Sequence, residues 1–324
     1  MPTVAPLDLD GHCIAALFLG GVPHFALADG VVHRLDHGHK WTELHDGLLS
    51  VAFDPAQSRL VTGGEDGKVC VLKPGDAVET LAELGRKWIN SVASGPQGAV
   101  AFASGKIAYA KLPDGKVKEF VHPRSVEGLA FAPKGMRFGV ARYNGATLHF
   151  PATDGKPVEL EWAGAHTGIT FSPDGNFVVT TMQENALHGW KLTNGKHMRM
   201  SGYPLKVKSL SWSAKGRWLA SSGAPAAIIW PFFGKDGPMG KAPLELGTRG
   251  DVAVTCVACH PRDEIVAIGY SDGMVLAARF ADQKEVLLRR PGKGAITSMA
   301  WDEQEARLAF GSDAGDCGII DITA

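Results

Sequence analysis

One feature constrains this chain more than any other: a segment of about forty residues recurs along nearly its whole length. Six copies stand out. LLSVAFDPAQSRLVTGG starts at Leu48, VEGLAFAPKGMRFGVARYNG at Val126, and TGITFSPDGNFVVTT at Thr167. VKSLSWSAKGRWLASS starts at Val207, AVTCVACHPRDEIVAIGYSDG at Ala253, and AITSMAWDEQEARLAFGSDAG at Ala295. Weaker copies begin at Cys13 and Asn90. Each has the same grammar. An alternating strand ends at Phe18, Phe53, Ser94, Phe131, Phe171, Trp212, Cys259 or Trp301. A polar turn and an apolar run follow, then a tight turn that often carries Asp-Gly or Asn-Gly, as at Asp29-Gly30, Asp66-Gly67, Asn144-Gly145 and Asp272-Gly273. Such pairs accept positive φ and favour hairpins.

The last strong position of each third strand serves as a ruler: Leu35, Leu72, Ala110, Phe150, Trp190, Trp230, Ala278 and Ile320, with steps of 37, 38, 40, 40, 40, 48 and 42. That period fits one four-stranded blade per copy. Fourth strands fall between copies at 40–44, 78–84, 116–121, 158–162, 197–203, 243–247 and 284–290. The eighth copy runs out of chain before its fourth strand, and Val4–Asp10 can supply it. The expected fold is all-β: a single closed β-propeller over 1–324 with eight four-stranded blades, seven being the alternative count. Its ring is closed by the N-terminal strand pairing into the last blade, which confines exposed sheet edges to short rims. The expected blades are 12–46, 47–85, 88–122, 125–162, 166–203, 206–249, 252–290, and 294–324 with 3–10.

The copies resemble the WD-repeat family. FSPDG at Phe171–Gly175 looks like the turn that recurs in it, and FDPAQ, FAPKG and CHPRD are degenerate versions. The tryptophan–aspartate ending survives loosely as Leu35-Asp36, Trp190-Lys191, Trp230-Pro231 and Ile320-Asp321. Gly164–His166 is similar to the glycine–histidine element, although His166 stands close to Phe171 for the usual spacing. The resemblance implies an interaction scaffold and is silent about the partner, because such folds host many functions.

Charge narrows the classes. Thirty-three Lys and Arg against 34 Asp and Glu leave a formal charge of −1, without the global basic signature of a nucleic-acid binder. The N-terminus lacks a basic region before its apolar stretch, and no run approaches a membrane helix. Five scattered cysteines do not form a disulfide framework. The expectation is a soluble, cytoplasmic protein with no membrane association and no cofactor.

Motifs that carry chemistry are few. Cys256-Val-Ala-Cys259-His260 is a literal CxxCH, as in c-type haem attachment. The repeat argues otherwise: Cys259 fills the slot of Phe53 and Phe171, Cys256 points to the opposite face, and His260 matches the turn residue Ser172. Histidines cluster at His33, His37, His39 and His45, and His37 with His39 and Asp36 could offer ligands to a divalent metal; an exposed polar turn is the simpler reading. No nucleophile elbow, HExxH, P-loop or dinucleotide fingerprint stands in the context its chemistry needs. The innermost strands are mostly apolar, which disfavours a catalytic channel, and the chain reads as a non-enzyme.

The remaining signal is positional. Loops joining fourth to first strands and second to third strands share one face of such a fold. They carry Trp88, His122, Arg124, Arg142, Tyr143, Tyr203, Arg249, Tyr270 and Arg290. Aromatic residues and Arg dominate binding hot spots, and Arg grips carboxylates bidentately. These nine residues are the candidate contacts for a protein or peptide, acidic in character. Metal or small-ligand binding and nucleic-acid association are the alternatives.

Overall fold

A computed structural model describes residues 3–54, 56–234, 236–304 and 306–323. Their regular structure is antiparallel strand, with one 3-10 turn at Pro96–Gly98. The repeat grammar becomes register. In the second copy Phe53 pairs with Leu60, Leu60 with Leu72, and Leu72 with Val78. Phe171, Val178, Trp190 and His197 repeat that row, as do Cys259, Val266, Ala278 and Glu285. Leu72, Trp190 and Ala278 thus each lie in a row that begins at the end of the first strand. The fourth strands lie where alternation places them, for example Val78–Glu83, Val117–Val121 and Glu285–Arg289. Their many exposed positions mark them as outer strands of their sheets.

The blade count departs from the expectation of eight separate sheets. The described residues form seven hydrogen-bonded sheets, six of four strands and one of six. The cause is local. Val158–Phe171 is one unbroken strand whose first part, 158–161, pairs with 145–148 and whose last part, 166–171, pairs with the strand Phe177–Met182. The fourth strand of one copy therefore runs straight into the first strand of the next. The long hairpin partner Phe138–His149 spans the second and third strands of its copy in the same manner.

Packing divides the chain into two compact units. One comprises Met1–Ala28, Val32–Trp41 and Gly202–Ala324; the other comprises Asp29–Val31 and Thr42–Ser201. In the first, Ile268, Tyr270 and Leu276 form one apolar cluster, Leu308, Phe310 and Cys256 a second, and Cys13, Phe18 and Phe25 a third. Its N-terminal strand Thr3–Asp8 pairs with Asp316–Asp321, Val4 opposite Ile320 and Leu7 opposite Cys317. In the second unit the cores are built on Val61, Val71 and Phe102, on Ala101, Val126 and Phe138, and on Leu148, Val178 and Trp190.

One position in the repeat organises its turn. The residue after the end of the first strand accepts a backbone N–H from the turn that follows. Ser172 Oγ accepts from Phe177 (2.9 Å), Ser213 Oγ from Trp218 (3.1 Å), Asp302 Oδ1 from Arg307 (3.0 Å) and His260 Nδ1 from Asp263 (3.0 Å). Small polar side chains in such turns hydrogen-bond nearby backbone and hold the reversal. At Gly67, predicted to be a hairpin turn, φ is +79° and a Cβ would collide with the carbonyl of Gly85, so both conformation and space require glycine.

Candidate protein-binding groove

The loop after Val78–Glu83 presents Trp88, 58% exposed. It lines a concavity of about 660 Å³ together with Lys87, Lys106, Tyr109, Ser125 and Glu127. A second concavity of 550 Å³ shares Ser125 and Glu127 with the first and adds Arg124, Tyr143 and Gln183. A third, of 750 Å³, shares Arg124 and Tyr143 with the second and adds Arg142, His149, Glu159 and Trp162. Shared lining residues make the three neighbours on the second unit. Of the candidate contacts that line them, Trp88, Arg124 and Tyr143 are exposed.

Arg142 has a different role. It is buried, and its Nε donates to Thr147 Oγ1 (2.9 Å) while one terminal nitrogen donates to the carbonyl of Tyr143 (3.0 Å). The other terminal nitrogen pairs with Glu159, which also accepts from Thr147 Oγ1 (2.8 Å). The guanidinium is thus committed to holding the Asn144-Gly145 turn, and that turn presents Tyr143. His122 is also buried, its Nε2 3.2 Å from Nε2 of His149. Burial lowers both imidazoles, His149 to about 4. Repulsion between the rings adds to the shift in His149, and the Arg142 charge adds to it in His122. Both are therefore neutral near pH 7. His149, Thr147, Glu159 and Trp162 were missed in the sequence. Thr147 and Glu159 are cross-strand partners, a relation that the Asn144-Gly145 turn would have exposed had register been carried through it.

On the first unit, Tyr203 is buried, its hydroxyl 2.6 Å from Ser221 Oγ and accepting from Trp230 Nε1 at 2.6 Å. Burial pushes its ionisation up to about 12. Tyr270 has no exposed surface, and its hydroxyl donates to the carbonyl of Gly247. Arg249 is half-buried and pairs with Asp272. Arg290 is exposed just beyond Glu285–Arg289. Of the loop-face candidates, Trp88, Arg124, Tyr143 and Arg290 offer surface, whereas His122, Arg142, Tyr203 and Tyr270 lie beneath it.

The other motifs resolve into packing. Cys256 packs in the cluster of Leu308 and Phe310, while Cys259 packs against that of Ile268 and Leu276, so the two thiols serve opposite faces. Burial pushes them up to about 11 and about 12, and the Cys259 thiol donates to the carbonyl of Ser211 (3.3 Å). His37 is fully exposed, and His39 Nε2 lies 2.9 Å from His33 Nδ1. Among the described residues no three His, Cys, Asp or Glu side chains are grouped to hold a metal. His166 is buried between Thr180 Oγ1 (2.7 Å) and the carbonyl of Trp162 (3.0 Å). No helix is long and apolar enough to cross a membrane.

Comparison with known proteins agrees with this architecture. The family "WD domain, G-beta repeat" matches residues 33–72, and the "Anaphase-promoting complex subunit 4 WD40 domain" matches residues 257–324. These two matches, together with the succession of four-stranded antiparallel sheets, support a WD-repeat β-propeller. Proteins of this class generally act as protein-interaction scaffolds. Telomerase protein component 1 of Rattus norvegicus is 23% identical over 190 residues, a stretch that covers 56% of this chain and 7% of that protein. The crystal structure of the computationally designed Ika8 protein superposes with a TM-score of 0.78 at 18% identity, covering 97% of this chain and 98% of that one. At that identity the likeness speaks for the fold alone.

Proposed function

We propose that this chain is a non-catalytic scaffold that holds an acidic segment of a protein partner along the Trp88–Arg124–Tyr143 groove. The adjacency of three concavities through shared lining residues carries the reading. An extended segment needs a continuous track with aromatic anchors. Lys87, Lys106 and Arg124 face Glu127 alone in the first two concavities, which favours an acidic occupant. Arg290, exposed on the first unit, is a separate candidate contact, and Tyr203, Arg249, Tyr270, His122 and Arg142 act by supporting the loops. Eight repeat units is the proposed count, supported by the two separate registers within the six-stranded sheet. The five free thiols suit a reducing, cytoplasmic setting.

The test is capture of a partner from native extract by the full chain and by Trp88→Ala/Arg124→Glu/Arg290→Glu. Loss of a specific protein by the folded variant is the expected result; equal capture by both overturns the reading. Nucleic-acid association is the second reading, favoured by the relative named as a telomerase protein component. It predicts binding to RNA or DNA that weakens steeply with added salt.

A further inference from the structure

Two of the five cysteines meet in the first unit. Cys13 begins the strand Cys13–Leu19, and Cys317 lies in Asp316–Asp321, which belongs to a separate sheet. Neither has any exposed surface, and both belong to the apolar cluster of Phe18, Phe25 and Ala309. The approach of the two sheets is fixed by side chains: Thr297 Oγ1 donates to the carbonyl of Cys13 (2.6 Å), and Ser298 Oγ accepts from the N–H of Ala16 (2.9 Å). Gly311 makes the room. A Cβ there would overlap the Cys13 sulfur and stand 3.4 Å from the Cys317 sulfur, so both sulfurs border the space of one absent methyl group. Interaction between the two neighbouring thiols lowers Cys317 and raises Cys13 from their ordinary values. The remaining cysteines have other neighbours: Thr80 for Cys70, Ser209 for Cys256 and Ser211 for Cys259.

We propose that Cys13 and Cys317 form a hydroperoxide-responsive dithiol, which oxidises to a disulfide that ties the first strand of the first repeat to the third strand of the last. Cys317, as thiolate, attacks one oxygen of hydrogen peroxide. The O–O bond breaks, the departing hydroxide takes up the proton released by the thiol, and Cys317 becomes a sulfenic acid with loss of one water. The Cys13 sulfur then attacks the Cys317 sulfur; the S–O bond breaks and the second water leaves with the Cys13 proton. Two thiols and one peroxide give one disulfide and two waters. Peroxide is small and uncharged, and it reaches the buried pair when the two sheets open locally. The bond would span almost the entire chain, and cross-links that close long loops restrict the unfolded state most.

The experiment uses the full chain, treated with hydrogen peroxide under native conditions and quenched with catalase. Free thiols are counted after unfolding, and an unreduced peptide map locates any cross-link. The expected result is a fall from five thiols to three, a cross-link between the peptides holding Cys13 and Cys317, a raised unfolding midpoint, and full reversal by dithiothreitol. In Cys13→Ser, Cys317 should stop at the sulfenic acid and be trapped by dimedone. A count that stays at five, a cross-link mapping to Cys256–Cys259, or oxidation of Cys317 without any cross-link would overturn the proposal. The map of the wild-type chain decides even where the variant does not fold.

Discussion

The guanidinium of Arg249 lies over the ring of Tyr270, 4.9 Å from its centroid, and one of its nitrogens reaches both carboxylate oxygens of Asp272 at 3.1 and 2.9 Å. The tyrosine beneath is anchored through its hydroxyl to the carbonyl of Gly247. An aromatic in a loop is here the floor under a charged residue. Tyr270→Phe removes the hydroxyl but keeps the ring, leaving a buried carbonyl without its donor. The expected cost is about 1–2 kcal/mol, read as a lower urea midpoint at unchanged slope. Arg249→Ala, which removes a partly solvated charge pair, should cost less.

Two copies of the repeat carry the same ion pair. Arg59 Nε donates to Asp54 Oδ2 (3.0 Å) and its terminal nitrogen to the carbonyl of Gly98 (2.8 Å). Arg307 Nε donates to Asp302 Oδ2 (2.8 Å) and its terminal nitrogen to the carbonyl of Gly21 (2.8 Å). Each arginine joins its own turn to a turn of another sheet. Asp302 is buried, so Arg307→Ala strands a carboxylate and should cost roughly 3 kcal/mol. Asp302→Ser/Arg307→Ala installs the arrangement used at Ser172 and Ser213 and should recover part of that loss. Chemical denaturation of the three proteins checks the order; a double variant less stable than Arg307→Ala would refute the equivalence.

Acid should destabilise the fold through buried imidazoles. His149 is lowered from 6.5 to about 4 and His188 to about 3, both chiefly by burial. Their contribution is present above pH 6.5, where folded and unfolded chains are alike neutral, and is lost as pH falls from 6.5 toward 4 and 3, because the unfolded chain takes up protons first. Unfolding free energy should drop by up to a few kcal/mol across that window. His188 stacks on Trp162, with centroids 4.1 Å apart, and its ring nitrogens meet no hydrogen-bond partner among the described residues. His188→Phe should therefore leave stability at pH 7 little changed and flatten the acid slope; an unchanged slope would show that the ring does not titrate on unfolding.

In the groove, Trp88→Ala should weaken partner binding by about tenfold or more, as for an interface anchor, without moving the thermal midpoint. Arg124→Glu should slow association and reduce its salt dependence. Calorimetry and stopped-flow mixing with the captured partner measure these separately.

Leu72, Trp190 and Ala278 were legible because alternation and turn chemistry write directly onto register, and each pairs as its spacing demands. The fate of loop aromatics was not. Tyr203 and Tyr270 share composition with Trp88 and Tyr143, yet their hydroxyls find Ser221 and the Gly247 carbonyl beneath the surface. That choice depends on the neighbouring strand, which a local pattern does not contain. The continuous strand Val158–Phe171 was likewise hidden, because Gly164 within it reads as a break, whereas at φ +122° the strand continues through it.

The pairing of Thr3–Asp8 with Asp316–Asp321 also has a kinetic side. The outer place in that sheet is filled by Thr3–Asp8, a strand made long before its partner Asp316–Asp321. Until that partner has been made, the earlier strand has nothing to pair with in this sheet. This contact joins residues almost a full chain length apart, and such distant pairings close slowly. Completion of this sheet is therefore expected to be the late, slow event in the birth of the molecule, and its reversal the first opening when the molecule is stressed.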